Sequence, residues 1–418
     1  MSDPSSVLDR YTEVCEELGQ EPSPFILKVI DMEREDQILR VRKGKEPKDY
    51  MDLVLPGNNH LITNIRLTDD DMRPLYETLK NNAYIHSMDL RYNNIGDTGA
   101  EYIAKLLEET VVLRSVNLMC NDIGEAGAKV IAKAFQTNET LVSLKLNGNK
   151  IGNKGGMAFA GVLQVNNTLE ELDLGDTDQG TESVIALATV LNQNKSIRAL
   201  NVNRPLLFSH QEETTVHMAR MLKVTSTLQE LHLQKCDIRD FGAERLSDAL
   251  IDNSSLKYLD VSCNRITRDG AKHLSKLLKH NTPLQILDLG FNRIEDDGAK
   301  HLADALGQFN TCLTHLVITT NQIKGPGVCA IAKAMKLNIS LNNVYIWGNN
   351  LETPACVAFN ELIETERLDQ RNTDVKPYVV DGVVYLSEIS HGIRRHYYWT
   401  PFYGPDVENS KARDQLDF

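Results

Sequence analysis

A frame of apolar residues returns along most of this chain at nearly constant spacing, and that period limits the fold more than any other feature. It first reads Ile85-His86-Ser87-Met88-Asp89-Leu90-Arg91-Tyr92-Asn93-Asn94-Ile95, which is apolar-x-x-apolar-x-apolar-x-x-Asn-x-apolar. With departures, it starts again at Leu113, Leu141, Leu169, Ile197, Leu228, Leu256, Leu284, Leu313 and Leu341. Successive starts are 28 residues apart, except for a step of 31 after Ile197 and one of 29 after Leu284. Ten copies of one unit predict a stacked array in which each copy packs on its neighbours.

Each position has a physical role. The alternation of Met88 and Leu90 lines the buried side of a short strand. Asn93, Asn121, Asn149, Asn264, Asn292, Asn321 and Asn349 follow the strand. There an amide can donate to and accept from backbone groups, bonding one unit to the next. Fourteen residues into a unit comes a glycine (Gly99, Gly127, Gly155, Gly242, Gly270, Gly298, Gly327), read as letting the helix approach the strand closely. Helical spacings follow, such as Leu274, Leu277 and Leu278. Near the helix end stand Asn138, Asn166, Asn194, Asn253, Asn281 and Asn338, suited to a left-handed C-cap. This is the wording of a long, helix-containing leucine-rich repeat. The fold class is α/β: a solenoid with a parallel sheet inside and helices outside. Strands stack at about 4.8 Å and helices at about 8–10 Å, so the array should curve into a horseshoe with helices on the convex face.

The ends depart from the frame. Residues 1–49 read as an N-terminal helical cap, with Val7 to Leu18 closed by Gly19 and a second helix from Ser23-Pro24. Residues 50–84 read as degenerate opening repeats around Leu53, Leu55, Ile62, Ile65 and Leu67, before the ten-unit solenoid of 85–365. Residues 366–418 form a C-terminal β-hairpin cap and aromatic tail, with Asp381-Gly382 as the hairpin turn.

Composition narrows the function. The net charge of −13 disfavours nucleic acid or anionic lipid as the main partner. No apolar run approaches the roughly 18–20 residues of a membrane helix, and the start lacks a secretory signal, so an intracellular soluble chain is expected. Seven cysteines without paired spacing suit reduced thiols. Cys120, Cys263 and Cys236 sit at or beside the turn asparagine in different units, which reads as buried or half-buried thiols rather than zinc ligands. Gly148, Gly152, Gly155 and Gly156 with Lys154 miss the phosphate-loop spacing. No catalytic, cofactor or metal site is expected, and no small-molecule substrate.

Binding surfaces are the remaining candidates. Between the last two strand apolar positions, facing the concave side, stand Asp89, Asn117, Lys145, Asp173, Asn201, His232, Asp260, Asp288, Val317 and Tyr345. Tyr258, Phe291, Tyr345 and Trp347 gather on the late units, where exposed aromatics beside Asp260 and Asp288 would anchor and steer a protein partner. The alternative is that the chain's own tail covers them. Pro205 replaces the turn asparagine in the unit from Ile197, and Phe208 to Glu213 form an insertion, either a plain surface loop or a contact. The tail carries Arg394, Arg395, His396, Tyr397, Tyr398, Trp399, Phe402 and Tyr403, residue types enriched in binding hot spots.

The Asn-x-Ile-Gly-x-x-Gly-Ala wording of Asn93 to Ala100 resembles the ribonuclease-inhibitor class of leucine-rich repeats. Asn203-Arg204-Pro205-Leu206-Leu207, Tyr345-Ile346-Trp347-Gly348-Asn349, Val380-Asp381-Gly382 and His396 to Thr400 are similar to a narrower family of such proteins in animals. The resemblance implies a non-enzymatic, protein-binding scaffold or adaptor in the cytoplasm, with the nucleolus or the motile-cilium axoneme as alternatives. A second implied reading is a regulator that binds an enzyme, a ribonuclease or a Ran-type GTPase, through the acidic concave face, or a nucleolar or nuclear regulatory factor. Ribonuclease inhibitor is richer in cysteine, and the Ran activator's acidic C-terminal run is missing here.

Overall fold

The computed structural model describes residues 4–58, 65–207 and 212–389. The chain divides into two compact units, Met1–Leu206 and Leu207–Phe418. Both are α/β leucine-rich-repeat solenoids.

In the first unit, α1 (Pro4–Leu18) and α2 (Pro24–Arg42) precede the repeats. Gly19, at φ +66°, ends α1, and the Tyr11 hydroxyl accepts the Ser23 N–H at the start of α2. Then β1 (Met51–Val54), α3 (Asp69–Leu79), β2 (Ile85–Asp89), α4 (Asp97–Glu109), β3 (Ser115–Asn117), α5 (Glu125–Ala134), β4 (Ser143–Lys145), α6 (Gly152–Val162), β5 (Glu171–Asp173), α7 (Thr181–Val190) and β6 (Ala199–Asn201) alternate. The strands are parallel, in chain order and in phase, with Met88, Val116, Leu144, Leu172 and Leu200 in one register. Among the described residues of 51–84 there are one strand and one helix, and Ile62 lies outside the described residues.

The second unit repeats the scheme with α8 (Glu213–Val224), β7 (Glu230–His232), α9 (Asp240–Ile251), β8 (Tyr258–Asp260), α10 (Arg268–Lys279), β9 (Ile286–Asp288), α11 (Glu295–Gln308), β10 (His315–Val317), α12 (Gly325–Leu337), β11 (Asn343–Tyr345) and α13 (Thr353–Glu364). Leu231, Leu259, Leu287, Leu316 and Val344 stand in register and are buried against the helices. An antiparallel hairpin, β12 (Val375–Val380) and β13 (Val383–Glu388), closes the described chain. Its turn, Asp381 at φ +50° and Gly382 at φ +78°, has the two positive angles of a type I′ connection.

Polar side chains staple one repeat to the repeat before it within each unit. The Nδ2 of Asn121 donates to Leu90 O at 2.9 Å, one repeat back, and its Oδ1 accepts from Ile95 N at 3.1 Å. Asn149, Asn264 and Asn292 make the same bonds. The residue ahead of the turn asparagine adopts positive φ, as at Tyr92, Cys120, Cys263, Phe291 and Thr320.

Two local expectations change. Asn138, Asn166, Asn194, Asn253 and Asn338 do not serve as left-handed caps; among these helix-end asparagines positive φ belongs to Asn281. Asn138 instead donates to Leu107 O at 2.7 Å in the preceding unit and accepts from Leu141 N at 2.8 Å. The recurrent glycine also answers to the preceding unit. A Cβ on Gly127 would meet the Asp97 carboxylate at 2.6 Å and Ala100 Cβ at 2.9 Å. That carboxylate accepts the N–H groups of Gly124 and Gly127 at 2.7 and 2.9 Å, capping the next helix across the seam. Asp240 and Asp296 do the same for the helices that follow them.

The last repeat has no follower, and two side chains replace one. In interior units the N–H of Leu289 or Ile318 donates to the next strand, at 2.9 and 3.0 Å. At the end, Asp374 accepts from Ile346 N and Trp347 N, both at 2.9 Å. Arg367 donates to Met335 O at 2.7 Å and to Asn338 O and Leu341 O, where another asparagine would stand.

Candidate partner-binding surface

Strands three residues long turn their middle residue to the helices and the flanking two to the opposite, strand face, where Glu171, Asp173, Glu230, His232, Tyr258 and Asp260 are nonetheless buried. In the first unit this face carries Lys145, Glu171, Asp173 and Asn201. Lys145 Nζ lies 2.9 Å from Glu171, and Asp173, fully buried, accepts from Asn201 Nδ2 at 2.7 Å and Gly175 N at 3.0 Å. Asp89 is half-buried, 3.3 Å from the Arg91 guanidinium.

In the second unit the same geometry gathers a denser cluster. His232 is 0% exposed, with Nδ1 3.4 Å from Asp260 and Nε2 3.6 Å from Glu230. Its ring meets Tyr258 edge-on at 4.7 Å between centroids. Burial alone would lower the imidazole pKa, but the flanking Asp260 and Glu230 carboxylates outweigh it and raise it to about 9. Asp260 and Asp288 are register partners on β8 and β9. Burial, and then the Asp260 charge, push the Asp288 carboxyl well above the usual range. Backbone bonds from Ser262 N and Gly290 N fix the two carboxylates at 3.0 and 2.9 Å. Alongside, Tyr258, Ile286, Val317 and Tyr345 form one buried apolar cluster. The strand face therefore sets carboxylates around an imidazole beside a buried aromatic-aliphatic cluster.

The structure sorts the sequence-derived candidates. Asp260, Asp288, Tyr258 and Tyr345 come together, although Tyr258 and Tyr345 are buried rather than exposed. Trp347 is half-buried beside them in sequence, and Phe291 is 57% exposed at the turn beyond β9. Asp89 and Asp173 belong to the first unit. Arg394, Arg395, Tyr397, Tyr398, Trp399, Phe402 and Tyr403, and Phe208 to Gln211 of the insertion, lie outside the described residues. Glu171 and Glu230 were not singled out by sequence reasoning, and His232 stood in the concave column without a role; the two glutamates lie two residues before Asp173 and His232, as Tyr258 does before Asp260. Cys120 is exposed rather than buried, whereas Cys236 is buried and Cys263 is half-buried.

Among the described residues, no group of three His, Cys, Asp or Glu side chains is placed to hold a metal ion. No described helix is long and apolar enough to cross a membrane.

A family model described as Leucine Rich repeat matches residues 81–104, 112–132, 137–160, 165–188, 225–247, 252–275, 280–303 and 309–332. Over 395 residues the chain is 53% identical to leucine-rich repeat-containing protein 34 of Mus musculus, covering 94% of each. Over 406 residues it is 59% identical to the protein of that name from Homo sapiens, covering 97% of this chain and 86% of the human one. Among solved structures, one titled Leiomodin-1 Actin-Binding Site 2 aligns at a TM-score of 0.31 with 22% identity, over 42% of this chain and 91% of that one.

Proposed function

The chain belongs to the family of leucine-rich repeat-containing protein 34, and we propose that it acts as a non-enzymatic protein-binding scaffold or adaptor through the strand face of its second unit. One observation carries this reading: Glu230, His232, Asp260 and Asp288 converge beside Tyr258 and Tyr345 on rigid strands. Buried aromatics next to fixed charge are the composition of an interface anchor. The partner is a protein that presents a cation flanked by aromatic groups, within a larger assembly in the cytoplasm, nucleolus or motile-cilium axoneme.

The test is native co-purification with mass spectrometry, at low and high salt, for the wild-type chain and for Asp260→Asn combined with Asp288→Asn. Loss of the same proteins from the variant supports the reading; identical recovery from both overturns it. Imaging of a tagged chain checks the compartment, and uniform staining of the whole cell counts against all three locations.

The acidic face supports a second reading, a regulator bound to an enzyme such as a ribonuclease or a small GTPase. That complex would be steered by charge and released by salt, whereas contacts anchored by Tyr258 and Tyr345 persist. A nuclease or GTPase recovered at low salt and lost at high salt favours the regulator.

A further inference from the structure

The strand face of the second unit is acidic at β7–β9 and apolar toward β11, so a matching ligand carries cations next to aromatic rings. The sequence just beyond Ile389 has that order: Ile393-Arg394-Arg395-His396-Tyr397-Tyr398-Trp399, then Phe402 and Tyr403. The described chain also ends in the right place. Ile389 N donates to Asp374 O at 3.0 Å, and the Asp374 carboxylate holds the N–H groups of Ile346 and Trp347 just past β11. From β11, the Asp288 and Asp260 positions are two and three strand spacings away, about 10 and 14 Å. Arg394 and Arg395 follow Ile389 by five and six residues, a reach of up to about 17–20 Å.

We propose that the segment Arg394–Tyr403 is an intramolecular ligand of this face and competes there with the protein partner. The inference rests on the binding role proposed above and names the chemistry that the partner must imitate. Tethering supplies the segment at an effective concentration in the millimolar range, so an external ligand must displace it before binding. The acidic face is then a regulated site, opened by whatever draws the basic-aromatic segment away.

The full chain provides the test, because it has only two tryptophans. With Trp347→Phe, Trp399 is the single indole. Its emission should be blue-shifted and shielded from acrylamide, and adding Asp260→Asn with Asp288→Asn should shift it to the red and expose it. Emission like that of the free peptide, unmoved by those substitutions, overturns the proposal. A second arm uses a labelled peptide of residues 390–403. The full chain carrying Arg394→Glu and Arg395→Glu should bind it at least about tenfold more tightly than the wild-type chain; equal affinity, or binding to neither, overturns the proposal. Recovery of cellular proteins separates the two ideas. Peptide exchange without any captured protein leaves the intramolecular ligand standing and removes the scaffold reading. Captured proteins without exchange do the reverse.

Discussion

Asn264 donates to the carbonyl oxygen of Leu233, one repeat earlier, at 2.8 Å from a buried position. The same side chain donates to Val261 O at 2.9 Å and accepts the N–H groups of Cys236 and Ile238 at 3.0 and 3.1 Å. Asn264→Ala strands those backbone groups without water, at about 1–3 kcal/mol for each unsatisfied one. We expect a loss of at least about 3 kcal/mol in urea unfolding, against less than about 0.5 kcal/mol for an exposed polar position. A loss under 1 kcal/mol would show that the seam does not depend on this column.

Phe291 combines exposure with a left-handed backbone at φ +57°. An exposed phenylalanine there has no folding reason to persist. Phe291→Asn should raise stability by about 0.5–1 kcal/mol, since asparagine tolerates this conformation. The same substitution should reduce partner recovery in pull-downs. If recovery is unchanged, Phe291 lies outside the contact.

His232 is held protonated by Asp260 and Glu230, with Asp288 and Tyr258 packed around the same face. Its folded pKa, about 9, stands above the unfolded value of about 6.5. The stability it contributes is therefore complete below about pH 6.5 and lost as pH rises through 9. Urea midpoints between pH 6 and 9 should fall for the wild-type chain and fall less for His232→Gln. NMR titration of the imidazole gives the direct check, and a midpoint near 6.5 would refute the assignment.

Asp374 behaves alike on the acid side. Burial raises its carboxyl to about 6, despite bonds from Ile346 N and Trp347 N. Its folded form binds a proton more tightly than the unfolded chain does, so its contribution is present below about pH 4 and lost as pH rises through 6. The difference approaches about 3 kcal/mol. Asp374→Asn should remove that part of the slope between pH 4 and 6.5; parallel wild-type and variant curves would place the titration elsewhere.

The repeat frame was legible because position and chemistry coincide. Leu259 is buried where the period puts it, and an asparagine in the turn after each strand has few other uses. Helix-end asparagines such as Asn138 were legible as polar caps but not in their geometry. A left-handed cap and a bond to Leu107 O in the preceding unit demand the same residue. The carboxylates of Asp97 and Asp240 gave no local signal, since the groups they cap lie 27 and 30 residues downstream. For the surface, the late aromatics and aspartates were visible as a column. Glu230 was passed over because a glutamate on a three-residue strand reads as solvated until its burial is known, and His232 stood in the column with nothing to show that two carboxylates flank it.

The closing pair at the last repeat has a consequence for assembly. Asp374 and Arg367 occupy the positions through which one repeat would grip another, so the array carries its own stop signal. Growth of the solenoid, whether by evolution adding a copy or by two chains meeting end to end, must first dislodge both side chains. A variant lacking them would leave the backbone groups of Met335, Asn338, Leu341, Ile346 and Trp347 without those partners, and the end of the array would lose what closes it.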